Sequence, residues 1–331
     1  MDTLAQGGNQ MRRLLFLGGL LLIVGSCIAW GQVPDGVGAA SFARIGVDAR
    51  PLAMAGAFVA VATGDPIPFY NPATLTHSPQ IAVEGLYSQP YGQDLGITYQ
   101  TLTALGCLTA TQSESCGGIG IAVSMVRLDV AGIPLWDEDD PGSSGTFTAT
   151  DALYFVSLGF PVADDWSVGV TAKLYRQNIL QGLGSGFGFD VGVLGTVLIG
   201  DFPVLLGWTA ADMGETNIRW TGTQGEPDNY VSWINRFGAS TEFLDGLVLA
   251  ACEVDWAVGR PARESEARVG AEINAFDIAY VRAGWVTDFE GTGVFRGGLG
   301  IEVLGRFAID YAYVPGKNLG TTHFLSMHVR F

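Results

Sequence analysis

His323-Phe324-Leu325-Ser326-Met327-His328-Val329-Arg330-Phe331 closes the sequence. Leu325, Met327, Val329 and Phe331 are apolar, and Ser326, His328 and Arg330 between them are polar. That is the two-residue period of a β-strand with one apolar and one polar face. The period recurs upstream. Val168, Val170, Ala172 and Leu174 alternate with Lys173; Phe307, Ile309, Tyr311 and Tyr313 lie opposite Arg306 and Asp310; Val269, Ala271 and Ile273 lie opposite Arg268 and Glu272.

From Ile81 onward, clusters of Gly, Pro, Asn, Asp and Ser divide the chain into segments of roughly 8 to 16 residues. Strands are predicted over Ile81-Ser88, Leu95-Ala110, Gly117-Val130, Phe147-Phe160, Ser167-Ile179, Phe187-Ile199 and Pro203-Met213. They continue over Val231-Thr241, Leu247-Trp256, Ala267-Ile273, Asp277-Thr287, Val294-Val303, Arg306-Val314 and Thr321-Phe331, fourteen in all. Every second link is short, as at Asp164-Asp165, Gly200-Asp201, Asp245-Gly246, Asn274-Ala275 and Leu304-Gly305, whereas Ala131 to Thr146 and Gly214 to Tyr230 are long. An even strand count with short turns at one end and longer loops at the other is the pattern of an outer-membrane β-barrel. Such barrels close because lipid offers an open sheet edge no partner, and Phe331 stands where they carry a terminal aromatic, read as the assembly signal for the barrel-insertion machinery.

Composition agrees. The 331 residues include 47 Gly, 18 Phe, 10 Tyr and 8 Trp with only 15% charged, too apolar for an ordinary soluble domain. The apolar run Leu14 to Val24 is about half the roughly 20 residues a spanning helix needs. Behind Met11-Arg12-Arg13, with Met11 an alternative start, it reads as the core of a signal peptide over residues 1–31. Ala29-Trp30-Gly31 suits ordinary cleavage before Gln32, while Val24-Gly25-Ser26-Cys27 resembles a lipobox; the first is preferred because a barrel needs no lipid anchor. Residues 32–78 form a segment without strand character, and residues 79–331 the barrel.

Charges on the polar faces are expected to point into a polar lumen, since on the lipid face each costs about 2 to 4 kcal/mol near the midplane. This set is Lys173, Asp190, Arg236, Glu242, Glu253, Asp255, Arg268, Glu272, Arg282, Arg296, Glu302, Arg306, Asp310 and Arg330, nearly balanced and read as a structural ion-pair network. His328 is placed in the lumen and His323 on the exterior. Trp208, Trp220, Trp233, Trp256 and Trp285 fall near strand ends, as interfacial girdles do. Cys107 and Cys116 flank the Gln112-Ser113-Glu114 turn, either bridged across a hairpin or as two buried thiols.

No metal-ligand spacing or cofactor motif stands out, and neither H-E-x-x-H, G-x-S-x-G nor a Walker A loop occurs. Gly182 to Gly188 reads as an external loop running into a softened strand start. A net charge of -16 argues against nucleic acid as a partner; part of it sits in Asp137-Glu138-Asp139-Asp140, a solvated loop tip.

Ile45-Gly46-Val47-Asp48-Ala49-Arg50-Pro51-Leu52-Ala53-Met54-Ala55-Gly56-Ala57-Phe58-Val59-Ala60-Val61-Ala62, followed by Tyr70-Asn71-Pro72-Ala73-Thr74-Leu75, resembles the N-terminal signature of the PorV/PorQ family, within the superfamily of FadL-type long-chain fatty-acid transporters. Leu319 to Phe331 resembles its final strand. Pro51 and Ala55 depart from the family's usual Ala and Gly, and Gly64 to Pro68 replaces a more acidic segment. The resemblance implies a fourteen-stranded barrel holding an N-terminal hatch, with Gly56, Phe58, Asn71, Pro72 and Ala73 as hatch motif. It also implies a non-enzymatic protein in outer-membrane lipid that handles exported clients with components of a type IX-like secretion system. A FadL-type passive transporter of a hydrophobic ligand is the alternative, and a permanently closed structural barrel a further one. Within the motif, Asn71 is expected to bond its own backbone and Pro72 to deny a helix.

Overall fold

The computed structural model describes residues 39–79, 81–92, 95–108, 116–135, 145–222, 229–258, 265–276, 278–288, 293–316 and 320–331. The leader over residues 1–31, the Gln112 to Glu114 turn and the Asp137 to Asp140 run lie outside them.

Seven strands come first: β1 (Ile81–Ser88), β2 (Ile97–Cys107), β3 (Gly120–Leu135), β4 (Gly145–Ala163), β5 (Trp166–Ile179), β6 (Gly182–Ile199) and β7 (Phe202–Ala211). A short pair follows, β8 (Thr216–Thr221) and β9 (Asn229–Val231). The remainder are β10 (Ile234–Phe243), β11 (Val248–Ala257), β12 (Glu266–Ala275), β13 (Ala279–Asp288), β14 (Gly293–Val303), β15 (Phe307–Pro315) and β16 (Thr321–Arg330). All pairings are antiparallel; β16 returns to β1, β7 pairs with β10, and β5 with β6, so the sheet closes on itself. Of the sixteen strands, β8 and β9 stand outside the ring, which leaves fourteen.

The period-two pattern predicts each ring strand because one face meets lipid and the other the interior. Leu102, Val156, Val170, Phe189, Phe237, Leu299, Ile309 and Met327 are exposed on the outside, a larger apolar surface than water tolerates. Trp256 joins them, 56% exposed, and Phe331 continues the outer face of β16 with its N–H donating to Ile81 O.

Two expectations are corrected. The Gly182 to Gly188 run is strand, the first half of β6, and β8 with β9 forms a hairpin inside the stretch read as an irregular link. The glycine run pairs with β5 through its whole length, and β8 pairs back onto its other edge at Leu183 to Ser185, where the glycines of β6 give it room. A Cβ on Gly186 would stand 2.9 Å from Asn217 O, and one on Gly184 3.1 Å from Ile218 Cγ2.

Candidate functional site in the barrel lumen

The N-terminal segment lies inside the ring. It consists of a 3-10 turn (Ser41–Arg44), the short helix α1 (Ala49–Ala53), an irregular stretch and a second 3-10 helix (Pro72–His77). Ala49, Leu52, Met54, Phe58, Val59, Asn71, Ala73 and Leu75 are essentially inaccessible. Helix α1 packs on β13 to β16, and the second 3-10 helix on β2 to β6.

Glycine makes this possible. A Cβ on Gly270 would stand 2.6 Å from Met54 O, and one on Gly159 2.9 Å from Leu75 Cβ; Gly120, Gly169, Gly207 and Gly284 meet the backbone of Leu75, Pro72, Val59 and Met54 more closely still. These inward glycines come from strands all round the wall, so backbone rests on backbone where side chains would keep the two apart.

Asn71 caps the second 3-10 helix, its Oδ1 accepting from Ala73 N at 3.0 Å. Its Nδ2 donates to Val59 O at 2.8 Å and to Val193 O of β6 at 3.0 Å, tying two parts of the segment to the wall. Pro72 does not deny a helix here. It opens one, because a first helical position has no N–H to lose. Gly56 takes φ +84°, and Phe58 lies buried with the Arg50 guanidinium carbon 5.3 Å from its ring centre.

Paired charges run round the lumen wall from β5 through β16 to β1. Those on Glu84, Glu272, Arg282, Glu302, Asp310, His328 and Arg330 lie toward the short turns, the periplasmic end by the barrel rule, and those on Lys173, Asp190, Asp212, Arg236, Asp255, Glu266 and Arg268 lie at mid-strand or toward the longer links. Arg50 donates from Nε and Nη2 to both oxygens of Glu272, at 2.8 and 2.7 Å, and from Nη1 to Thr63 O at 2.6 Å. Burial opposes the charge of Arg50, yet Glu272 raises its pKa above the ordinary value. Arg282 bridges Glu272 and Asp310. Glu253 Oε2 accepts from Phe58 N and Val59 N at 2.9 and 2.8 Å, while its other oxygen meets Arg268, which also holds Asp255 at 2.7 Å and pairs with Glu266. Arg330 spans Asp65 and Glu302, at 2.6 Å each. Lys173 stands between Asp190 and Asp212, at 2.8 and 2.9 Å. Arg236 lies 3.8 Å from Asp255 and over the rings of Phe69 and Tyr70. Arg296 is partly buried on the inner side of β14.

One member of the expected inner set sits elsewhere: Arg306 is exposed in the turn after β14, one residue before β15 begins. Glu242, exposed near the end of β10, keeps the inward parity of Arg236 and Ser240 and lines a cavity of about 180 Å³ with Asp65, Glu302, Asp310, His328 and Arg330. His328 is buried in the lumen, whereas His323 lies outside with Nδ1 2.6 Å from Tyr311 Oη. Cys107 and Cys116 form a disulfide. Asp48, Arg50, Asp65, Glu84 and Asp212 complete the network without having been singled out in the sequence. Glu84 had a signal, sharing the inward parity of Leu86 on β1; Asp48, Arg50 and Asp65 had none, because the irregular segment has no period.

The wall from β16 through β1 to β5 contradicts a uniformly polar interior. Inward residues there are Leu86, Tyr99, Val126, Leu153, Phe155, Tyr175 and Phe324, packed with Phe42, Val47 and Phe69 of the N-terminal segment into one apolar cluster. Ile218 of β8 and Val231 of β9 close over the same cluster, and Trp220 packs against it, in place of an interfacial role. Tyr99 Oη donates to Gly46 O at 2.9 Å and Tyr175 Oη to Asp212, so the phenols are satisfied where apolar and polar halves meet.

Fold and lumen together define an outer-membrane β-barrel with a segment seated inside it. No protein-family model and no curated protein sequence matches the chain. Solved structures do. The CymD monoaromatic hydrocarbon channel is 13% identical, with 87% of this chain and 98% of that one covered at a TM-score of 0.58. The Ralstonia pickettii toluene transporter TbuX is 13% identical (86% and 98% covered, TM-score 0.57), and a Pseudomonas aeruginosa FadL homologue 12% identical (86% and 98%, 0.57). At such identities the likeness establishes the fold, a closed fourteen-stranded barrel, and with the apolar exterior it puts the protein in the bacterial outer membrane.

Proposed function

We propose that this barrel is a passive, non-enzymatic conduit for hydrophobic small molecules, and that its N-terminal segment is a plug that must shift for a solute to pass. The observation that carries this reading is the apolar half of the lumen, from Leu86 and Tyr99 round to Phe155 and Phe324. A water-filled pore keeps polar side chains on its inner wall; this wall offers a hydrophobic solute a favourable surface worth about 25 cal/mol per Å² buried. The names of the similar solved structures, a hydrocarbon channel and a toluene transporter among them, support the same direction. A PorV/PorQ-type role in protein secretion rests on the resemblance of Ile45 to Leu75 and of Leu319 to Phe331.

The test is entry of a labelled monoaromatic hydrocarbon into cells whose outer membrane carries the protein, against cells lacking it and against a Phe155→Asp variant that inserts normally. Faster entry with the wild type and a loss with Phe155→Asp are expected. No difference in entry, together with capture of exported proteins by the external loops, would move the assignment to protein handling.

A further inference from the structure

We propose a divalent-cation site that clips the N-terminal segment to the seam where the first and last strands of the barrel meet. Glu84 of β1 and His328 of β16 are direct cross-strand partners. Both point inward, and Asp65 of the N-terminal segment comes down between them, its Oδ2 3.2 Å from His328 Nδ1. Glu84 Oε1 lies 3.8 Å from the same nitrogen. One donor atom from each of the three residues falls within a 4.8 Å span, and all three residues are at least 95% buried.

Three observations separate this cluster from an ordinary ion-pair network. First, Glu84 Oε1 has no hydrogen-bond partner although it is buried and directed at the imidazole. A buried carboxylate oxygen left unpaired is costly, and a cation between Glu84, Asp65 and Nδ1 removes the cost. Second, the imidazole is itself unpartnered and backed by a carboxylate: neither ring nitrogen makes a hydrogen bond, and Nε2 stands 2.7 Å from Asp48 Oδ2, where a carboxylate orients a metal-bound histidine. Third, charge is out of balance. Among the described residues, the carboxylates of Asp48, Asp65, Glu84, Glu272, Glu302 and Asp310 around His328 are set against the guanidiniums of Arg50, Arg282 and Arg330. A divalent ion supplies one more positive charge than the imidazolium proton it would displace from Nδ1.

The donor set selects the ion. One imidazole nitrogen with two carboxylates suits Zn²⁺ or a similar borderline ion, with water completing the shell. Ligand atoms about 2.1 Å from a tetrahedral ion stand about 3.4 Å apart, close to the two distances seen at Nδ1. Water and the ion itself have a source in the neighbouring 180 Å³ cavity, which Asp65 and His328 both line. Two ligands belong to the wall and one to the segment, so the ion joins plug to barrel.

The test uses the folded, membrane-extracted protein in detergent, stripped with EDTA and titrated with Zn²⁺ by equilibrium dialysis, and separately with Co²⁺ to read ligand-field bands. The wild type is expected to take up one ion per chain, with Co²⁺ bands of a site containing imidazole. Glu84→Gln, checked as folded by heat-modifiable migration, is expected to bind about tenfold or more weakly. Asp65→Asn, on the plug and away from the strand ladder, is expected to do the same and stands in if Glu84→Gln does not fold. Stoichiometric uptake lacking the imidazole signature, uptake unchanged in a folded variant, or no uptake by the folded wild type overturns the proposal; the wild-type titration decides even if neither variant folds.

Discussion

The two halves of the lumen hold the same N-terminal segment by opposite means. Toward the periplasm, Asp48, Arg50 and Asp65 reach buried charges on β1, β12 and β16, where each pairing is directional and each loss leaves an uncompensated ion. Against the wall from β16 through β1 to β5, Phe42, Val47 and Phe69 of the segment meet apolar residues, and one contact can replace another at little cost. The charged contacts fix where the segment sits, and the apolar contacts constrain it less directionally.

The sharpest way to break this contrast is Glu272→Ala. It strips partners from both Arg50 and Arg282 in a buried setting, and removing one member of such a pair costs about 3 to 5 kcal/mol. The expected result is a drop of that order in urea-unfolding stability in micelles; a loss under about 1 kcal/mol would mean that water reaches the network and that the halves do not differ as described.

Gly270→Leu tests the seat. Overpacking against Met54 O is expected to cost about 1 to 3 kcal/mol and to expel the segment while the ring persists, seen as protease cleavage between residues 45 and 75 in a barrel that still migrates as folded. Protection equal to wild type would show that the segment re-seats around a side chain.

Asn71→Ala removes hydrogen bonds to Val59 O and Val193 O and leaves those carbonyls buried, for a loss of about 1 to 3 kcal/mol. Since both belong to the docking of the segment, folded barrel is expected in normal amount, with faster proteolysis of the segment. If folded barrel itself is lost, the motif guides folding and is no latch.

The smallest effect is expected in the apolar half. Tyr99→Phe deletes only the bond to Gly46 O, worth about 0.5 to 1.5 kcal/mol. Under the conduit proposal it also frees the outer end of the segment, so hydrocarbon entry is expected to rise slightly or hold. A stability loss as large as that of Glu272→Ala would abolish the distinction between the halves.

Most of the ring could be read directly. β1 spans the predicted residues, and the other ring strands overlap their predictions with ends moved by a few residues, because period two is imposed by lipid on one side and holds strand by strand. Where both sides of a strand are apolar the period carries no information. On β4, Leu153 and Phe155 face in with Asp151 and Ser157 of the same parity while Tyr154 and Val156 face out, so apolar residues stand on both faces over that run. That is why the apolar half of the lumen went unseen. The β8 strand, Thr216–Thr221, has a related reason: six residues set apart from the ring gain their pairing from β6 and the three-residue β9, neither of which their own sequence signals.

The sequence alone therefore determined the class of fold, the strand order along the chain, the inward direction of most charges and the presence of a non-strand segment before Ile81. These follow from local composition, which one residue and its neighbours express. The tertiary structure alone decided which charges meet, that Gly159, Gly270 and Gly284 are seats and not merely flexible points, and that Asp65, Glu84 and His328 converge although one lies before the barrel and the others at its two ends. Closure of the ring pairs β1 with β16 and brings residues far apart in the chain side by side, and no local pattern encodes a contact that exists only once the ring is shut.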